Sequence, residues 1–333
     1  MSPEEIGLAL LLSAPAMAVV VALALAPLRR LLLKADLLDR PNQRSSHHVP
    51  TPRGAGLVVL PACVLAWLVV DRFCPLPGRF WPIALAALAL VAFSAVDDRR
   101  SLSAGLRLAV HALAIGLGLW SLPQDFTLTQ GLLPRWADFV LAFLAWLWFL
   151  ELTNFMDGID GITGIEAGAI ALGLLLLALV GALPPALAGA LLLLLGALLG
   201  FLAWNWHPAA IFLGDSGSVP LGYLLGWLLL LAAGAGLWPV ALILPLYYWA
   251  DATWTLLARF RRGEKVWQAH RQHFYQRATG SGSHAPVAAA ILLANVVLIA
   301  LALWSRAEPW LALAAAAAVV ALLLGWLGHR AGG

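Results

Sequence analysis

Residues 186–217 read ALAGALLLLLGALLGFLAWNWHPAAIFLGDSG. From Ala186 to Trp204 the run carries no charge, and about 20 apolar residues is the length a helix needs to cross a bilayer core of about 30 Å. The chain then turns polar, setting Asn205, His207 and Asp215 among a proline and glycines. This pairing of an oily run with a compact polar loop recurs along the sequence and decides its class.

Hydrophobic residues make up 62% of the 333 positions and charged ones 11%, with a mean hydropathy of +0.89; soluble domains carry about 25% charged residues. The chain therefore reads as an all-α, polytopic integral membrane protein. Apolar runs at 5–27, 54–70, 81–96, 107–121, 137–153, 164–181, 186–204, 218–236, 238–258, 286–304 and 310–328 predict eleven transmembrane helices, ten if one of the two short runs, the third or fourth, does not span. The first run follows the acidic MSPEEIG and precedes Arg29 and Arg30 rather than a cleavage site, so it reads as a retained helix with its N-terminus outside. Cys63 and Cys74 suggest neither a disulfide framework nor metal-type spacing. A single membrane-embedded domain over 1–333 is the simplest organisation.

Alternating crossings put 28–53, 97–107, 154–163, 205–217, 259–285 and the C-terminus on one face. Of the 20 lysines and arginines, 16 fall there and four (Arg72, Arg79, Arg135 and Arg306) on the other. Cytoplasmic loops carry the basic excess, so the first face is expected to be cytoplasmic and the N-terminus periplasmic. The unusual polar motifs all sort to that face, which predicts an active site at the cytoplasmic membrane surface rather than a path through the bilayer.

Several groups there suit chemistry. Asp97 and Asp98 end the third helix; they are either a polar helix stop beside Arg99 and Arg100 or a metal ligand or base. In NFMDGIDGITG (154–164), Asp157 and Asp160 sit among glycines, which let a backbone approach a ligand closely; the alternative is a solvated turn. Asp215 in FLGDSGS, with one partner from another loop, would suffice for Mg²⁺, which takes few protein carboxylates. In AHRQHFYQR, His270, Arg271, His273 and Arg277 suit phosphate oxygens better than zinc, for which no third ligand is near. Arg44, His47, His48 and Arg53 form a second basic segment, either a lipid-phosphate dock or a general attraction to anionic lipid. No GxxxxGK[ST] sequence is present, against a P-loop ATPase. Together, carboxylates for a divalent cation and basic groups for phosphate on one membrane face point to phosphoryl transfer from a soluble donor to a lipid acceptor.

NFMDGIDG, NWHPA with FLGDSGS, VDDRRSLSAGLRL and AHRQHFYQR, in this order between about residues 36 and 277, resemble the polyprenyl-phosphate N-acetylhexosamine-1-phosphate transferases. DRPNQRSSHHVPTPRGAG and HRQHFYQR are similar to the glycosyltransferase family 4 branch, whose members start O-antigen and related surface glycans. The peptidoglycan branch, the phospho-MurNAc-pentapeptide translocases, typically has a histidine triplet where this chain has HRQH. The resemblance implies transfer of a sugar 1-phosphate from a UDP-N-acetylhexosamine to undecaprenyl phosphate, with release of UMP. It implies a multi-pass protein of the bacterial inner membrane, using Mg²⁺ (Mn²⁺ as the alternative), with homodimers known in the superfamily and no nucleic-acid partner. It carries Asp215 over as the magnesium aspartate and Asn154 as support for metal and diphosphate. Asp97 and Asp98 become the family's aspartate pair, Asp98 orienting the lipid phosphate or keeping it ionised. Asp160 and Phe212 match uridine positions, and Asp157 and Asn205 belong to the same polar shell. One departure stands out: Glu151 occupies a position that is usually asparagine.

Two rival classes predict other placements. An ion-coupled transporter would put its acids near the midplane, in repeated halves; here only Glu151, Glu166 and Asp251 lie in or beside helices, and no repeat of the motifs is seen. A transferase acting on lipid-linked sugar outside would place the acidic loops on the opposite face.

Overall fold

The computed structural model describes residues 3–41, 46–47, 49–266, 268, 270–280 and 282–331, with side chains from Leu12 onward. Arg44 and His48, read above as part of a basic segment, lie outside the described residues. The helices are α1 (Pro3–Lys34), α2 (Gly56–Phe73), α3 (Phe80–Arg100), α4 (Ala104–Ser121), α5 (Arg135–Phe155), α6 (Ile162–Leu179), α7 (Ala186–Asn205), α8 (Asp215–Gly234), α9 (Trp238–Ile243), α10 (Leu246–Arg261), α11 (Phe274–Thr279), α12 (Ala285–Trp304) and α13 (Pro309–Arg330). A two-residue hairpin, β1 (Leu38–Asp39) with β2 (Thr51–Pro52), is the one sheet among the described residues.

Ten of the helices are long and apolar enough to cross a membrane. The ninth expected run, 238–258, is not a continuous helix but α9 and α10, separated by Leu244 and Pro245. Proline has no N–H for the ladder and its ring clashes with the preceding turn, which accounts for the break. The interrupted pair still joins the two ends of the bundle. At its start Trp238 packs on Trp310, beside the end where Gln130 donates to the Ala233 carbonyl. Beyond its far end, Tyr275 donates to the Phe155 carbonyl. The described residues of the polar segments at 35–55, 97–103, 154–161, 205–215 and 262–284 consequently share one end of the molecule, as the alternation requires.

The stretch holding Arg29, Arg30 and Lys34, read as a loop, is helical and belongs to α1, whereas Asp97 and Asp98 lie in the last turn of α3, at the helix end where the sequence put them. The core is α8, buried along its whole length between α2, α3 and α5. In lipid, helices associate through close packing rather than through a hydrophobic drive, and the start of α2 meets the start of α8 at such a contact. A Cβ on Gly56 would lie 2.2 Å from the Gly217 backbone nitrogen, so only glycine permits the approach. Trp146 of α5 stacks on Tyr223 of α8 at 4.8 Å and donates to its carbonyl at 2.9 Å. The intramembrane acids are tied to protein: Asn295 donates to Glu166 at 2.7 Å, and Glu151 pairs with His111 at 2.7 Å.

Candidate active site

The site is built around the start of α8. The chain from β2 to Gly54 lies beside the run before α8: Phe212 donates to the Pro52 carbonyl at 2.8 Å, and Gly54 donates back to the Phe212 carbonyl at 3.0 Å. Gly214 then takes φ +77°, a left-handed turn that disfavours any side chain, and delivers Asp215 to the first helical position. The exposed N–H groups of that first turn need acceptors. Asp98 supplies them from the end of α3, accepting from Asp215 N and Ser216 N at 3.1 Å each.

Arg53 sits between the two carboxylates. Its Nε is 3.1 Å from Asp98 Oδ1, and an Nη is paired with Asp215 Oδ1. Burial opposes the guanidinium charge, but Asp215 and Asp98 outweigh it and raise the Arg53 pKa.

A polar cavity of about 370 Å³ opens beside this cluster, lined by Arg53, Asn154, Asp157, Asp160, Phe212 and Asp215 among others. Asn154 accepts from Ser218 at 2.7 Å, and Asp157 from Thr163 at 2.5 Å. Burial pushes the Asp157 carboxyl up to about 6, with the Thr163 hydrogen bond opposing the rise. Asp160 has both oxygens engaged: Oδ2 with His207 Nδ1 at 2.7 Å and Ala209 N at 3.1 Å, Oδ1 with His284 Nδ1 at 3.2 Å. Burial opposes ionisation of Asp160 and charging of His284, yet their mutual pairing prevails, lowering the first pKa and raising the second. Asn205 accepts from Gly161 N and donates to the Ile211 carbonyl, lashing the 154–161 and 205–215 loops together. The Phe212 ring forms part of the wall, edge to face with His47 at 4.9 Å.

A second cavity, a groove of about 670 Å³, runs down between α4, α5 and α10. Its walls are apolar, including Leu108, Leu147, Trp148 and Leu256, and its rim residues Leu144, Leu257 and Phe260 are exposed on the flank of the bundle. At the site end it turns polar, with Asp97, Arg107, His111 and Glu151. Asn154, Phe155 and Asp215 line both cavities, so the polar chamber and the apolar groove meet at these three residues.

The AHRQHFYQR segment is positioned by Asp251, whose placement the sequence did not reveal. Fully buried, Asp251 accepts from Phe274 N at 3.0 Å and Tyr275 N at 3.2 Å, and its Oδ1 lies 3.2 Å from His273 Nδ1. It thereby caps α11. Arg259, also buried, binds Glu264 at 2.8 Å and the carbonyls of Lys265, Val266 and Gln268. His273 is thus part of an anchor, and Arg277 lines a separate surface depression with Arg262 and Glu264. Burial, with the charges of His273 and Arg259, lowers the His270 pKa to about 4, so this ring is neutral at pH 7. From this region it is Gln276 and His284 that line the polar cavity.

Asn154, Asp157, Asp160, Asn205, Phe212 and Asp215, and Arg53 from the basic segment that the sequence set apart, all line the one polar cavity. Sequence reasoning assigned no role to His207, His284, Thr163, Ser218, His111 or Arg107. His207, Arg107, Thr163 and Ser218 belong to the polar motifs themselves; His284, beyond the last of them, offered no signal.

Residues 80–233 match the family model for glycosyl transferase family 4. The chain is 27% identical over 303 residues to the probable undecaprenyl-phosphate N-acetylglucosaminyl 1-phosphate transferase of Bacillus subtilis (strain 168), covering 86% of this chain and 82% of that one. It is 28% identical over 316 residues to the decaprenyl-phosphate N-acetylglucosaminephosphotransferase of Mycobacterium tuberculosis (strain CDC 1551 / Oshkosh), covering 83% and 77%. With the phospho-N-acetylmuramoyl-pentapeptide-transferase of Synechococcus sp. (strain RCC307) it shares 36% identity over 215 residues, covering 58% of this chain and 57% of the relative.

Proposed function

We propose, from the match of residues 80–233 to the glycosyl transferase family 4 model, that this chain transfers N-acetylglucosamine 1-phosphate from UDP-N-acetylglucosamine to undecaprenyl phosphate, releasing UMP. The carrying observation is the meeting of the two cavities at Asn154, Phe155 and Asp215. A soluble nucleotide sugar suits the polar chamber and a polyprenyl chain suits the apolar groove, so the two phosphates would converge where the chambers join. Transfer between phosphates needs mainly positioning and charge stabilisation. Phe212 offers a ring to the uracil, and Asp157, Asp160 and Asn205 shape the wall around it.

The oxygen donors here fit magnesium, which prefers carboxylate and phosphate oxygens. Asp215 and Asn154, adjoining both cavities, would hold it. When bound, the ion supplies positive charge to the diphosphate and to the departing UMP. Arg53 would keep Asp215 and Asp98 aligned. The basic excess at the site end supports a cytoplasmic orientation in the bacterial inner membrane.

The test is radiolabel transfer from UDP-N-acetylglucosamine to undecaprenyl phosphate by purified protein, with and without magnesium. Magnesium-dependent label in the lipid, lost in Asp215→Asn, is the expected result. Transfer from UDP-MurNAc-pentapeptide alone would instead place the chain with its pentapeptide-transferase relatives, a reading that HRQH in place of a histidine triplet disfavours.

A further inference from the structure

We propose that Glu151, backed by His111, is the group that takes the proton from the acceptor phosphate. This deepens the transferase reading and rests on it. A phosphate monoester has a second pKa of about 6, and an apolar groove disfavours the dianion, so a share of the acceptor arrives carrying a proton. The diphosphate diester formed has no such proton. It must therefore leave as the acceptor oxygen becomes a nucleophile.

Asp98 is poorly placed to receive it. Its oxygens accept from Asp215 N, Ser216 N and Arg53, and it faces a different depression, with Leu37 and Asp39. Asp97 faces the groove but accepts from Leu102 N at 2.6 Å and lies 3.4 Å from Arg107. Of the other two groove carboxylates, Asp215 is paired with Arg53, which leaves Glu151. It lies one helical turn before Asn154 on α5, so the two project from the same side of the helix. Its side chain is 18% exposed, whereas that of His111 behind it is 3% exposed. The charged groups facing the pair are Arg107 along α4, Asp97 of α3 and Asp215 of α8; α10 presents Thr253, Leu256 and Leu257, none of which titrates in the working range.

The step balances. A bond forms between the acceptor oxygen and the sugar-bearing phosphorus, and the bond from that phosphorus to UMP breaks with its electron pair leaving on UMP. The acceptor's proton passes to the Glu151–His111 pair and then to water. A carboxylate at 151 in place of asparagine is thereby a gain of a proton acceptor.

The test is the pH profile of kcat from pH 6 to 9 for the wild type, Glu151→Gln, Glu151→Asp and His111→Gln. General-base catalysis contributes about 100-fold or more, so Glu151→Gln should lose about 100-fold at pH 6.5. The loss should shrink several-fold or more by pH 9, where the acceptor is already deprotonated. Glu151→Asp should recover part of the rate, with KM for the nucleotide sugar unchanged. A deficit equal at all pH values, or none, would overturn the assignment. If Glu151→Gln does not fold, His111→Gln must show the same pH-dependent deficit in smaller measure, and a flat one overturns the proposal. A wild type inactive with every donor and acceptor would overturn the transferase reading instead.

Discussion

Arg53 and Asp215 stand 162 residues apart in sequence and form an ion pair in the wall of the polar cavity, with Asp98 on the other side of the same guanidinium. Two carboxylates that would otherwise repel are held by one planar fork. A lysine ammonium cannot span both in this way. Arg53→Lys should therefore lower kcat by about 100-fold, the scale of removing one preorganised electrostatic partner, and steady-state transfer assays would measure it.

Asp157 should cost stability when ionised. Its pKa rises from 3.8 to about 6 in the fold, so between those values the unfolded chain has released a proton that the folded chain keeps. The penalty is absent below pH 4, grows through that window and is constant above it, at about 3 kcal/mol from about 1.4 kcal/mol per unit. Asp157→Asn keeps an acceptor for Thr163 and should raise the thermal midpoint of the metal-free protein at pH 7.5 but not at pH 4.

The Asp160–His284 pair has the opposite sign. The His284 contribution is complete below its unfolded value of about 6.5 and is lost as pH rises through its raised folded value; the Asp160 contribution is lost only as pH falls through its lowered one. Because the pair supports the cavity wall, UDP affinity measured by calorimetry should decline on the alkaline side in the wild type. In His284→Gln it should be weaker and independent of pH there.

Phe212→Ala should weaken UDP binding by about tenfold, within the 1–3 kcal/mol range for a base stacked on an aromatic ring. Its KM for undecaprenyl phosphate should stay within about twofold of the wild type, since the ring lines the polar cavity and not the groove.

Much of this was legible in the sequence because lipid imposes simple rules. Runs of apolar residues reported the helices, and glycine-flanked acids reported the loops that must approach a ligand. The break at Pro245 escaped that reading because hydropathy averages over a window and records no backbone geometry. Asp251 was equally opaque: a carboxylate ending a crossing looks like any polar stop until the N–H groups of Phe274 and Tyr275 are seen pointing at it. The loop histidines erred in the other direction. His273 has the right chemistry for phosphate, but its partner is that buried carboxylate, and only the folded chain shows the difference.

The groove between α4, α5 and α10 opens sideways, so the two proposed substrates come from reservoirs of different dimension. A nucleotide sugar arrives from a volume, while a polyprenyl acceptor arrives by diffusion in a plane. Turnover should accordingly follow the acceptor's mole fraction in the membrane, not its amount per litre. Diluting it with inert lipid at fixed bulk concentration should slow the enzyme, and adding water should not.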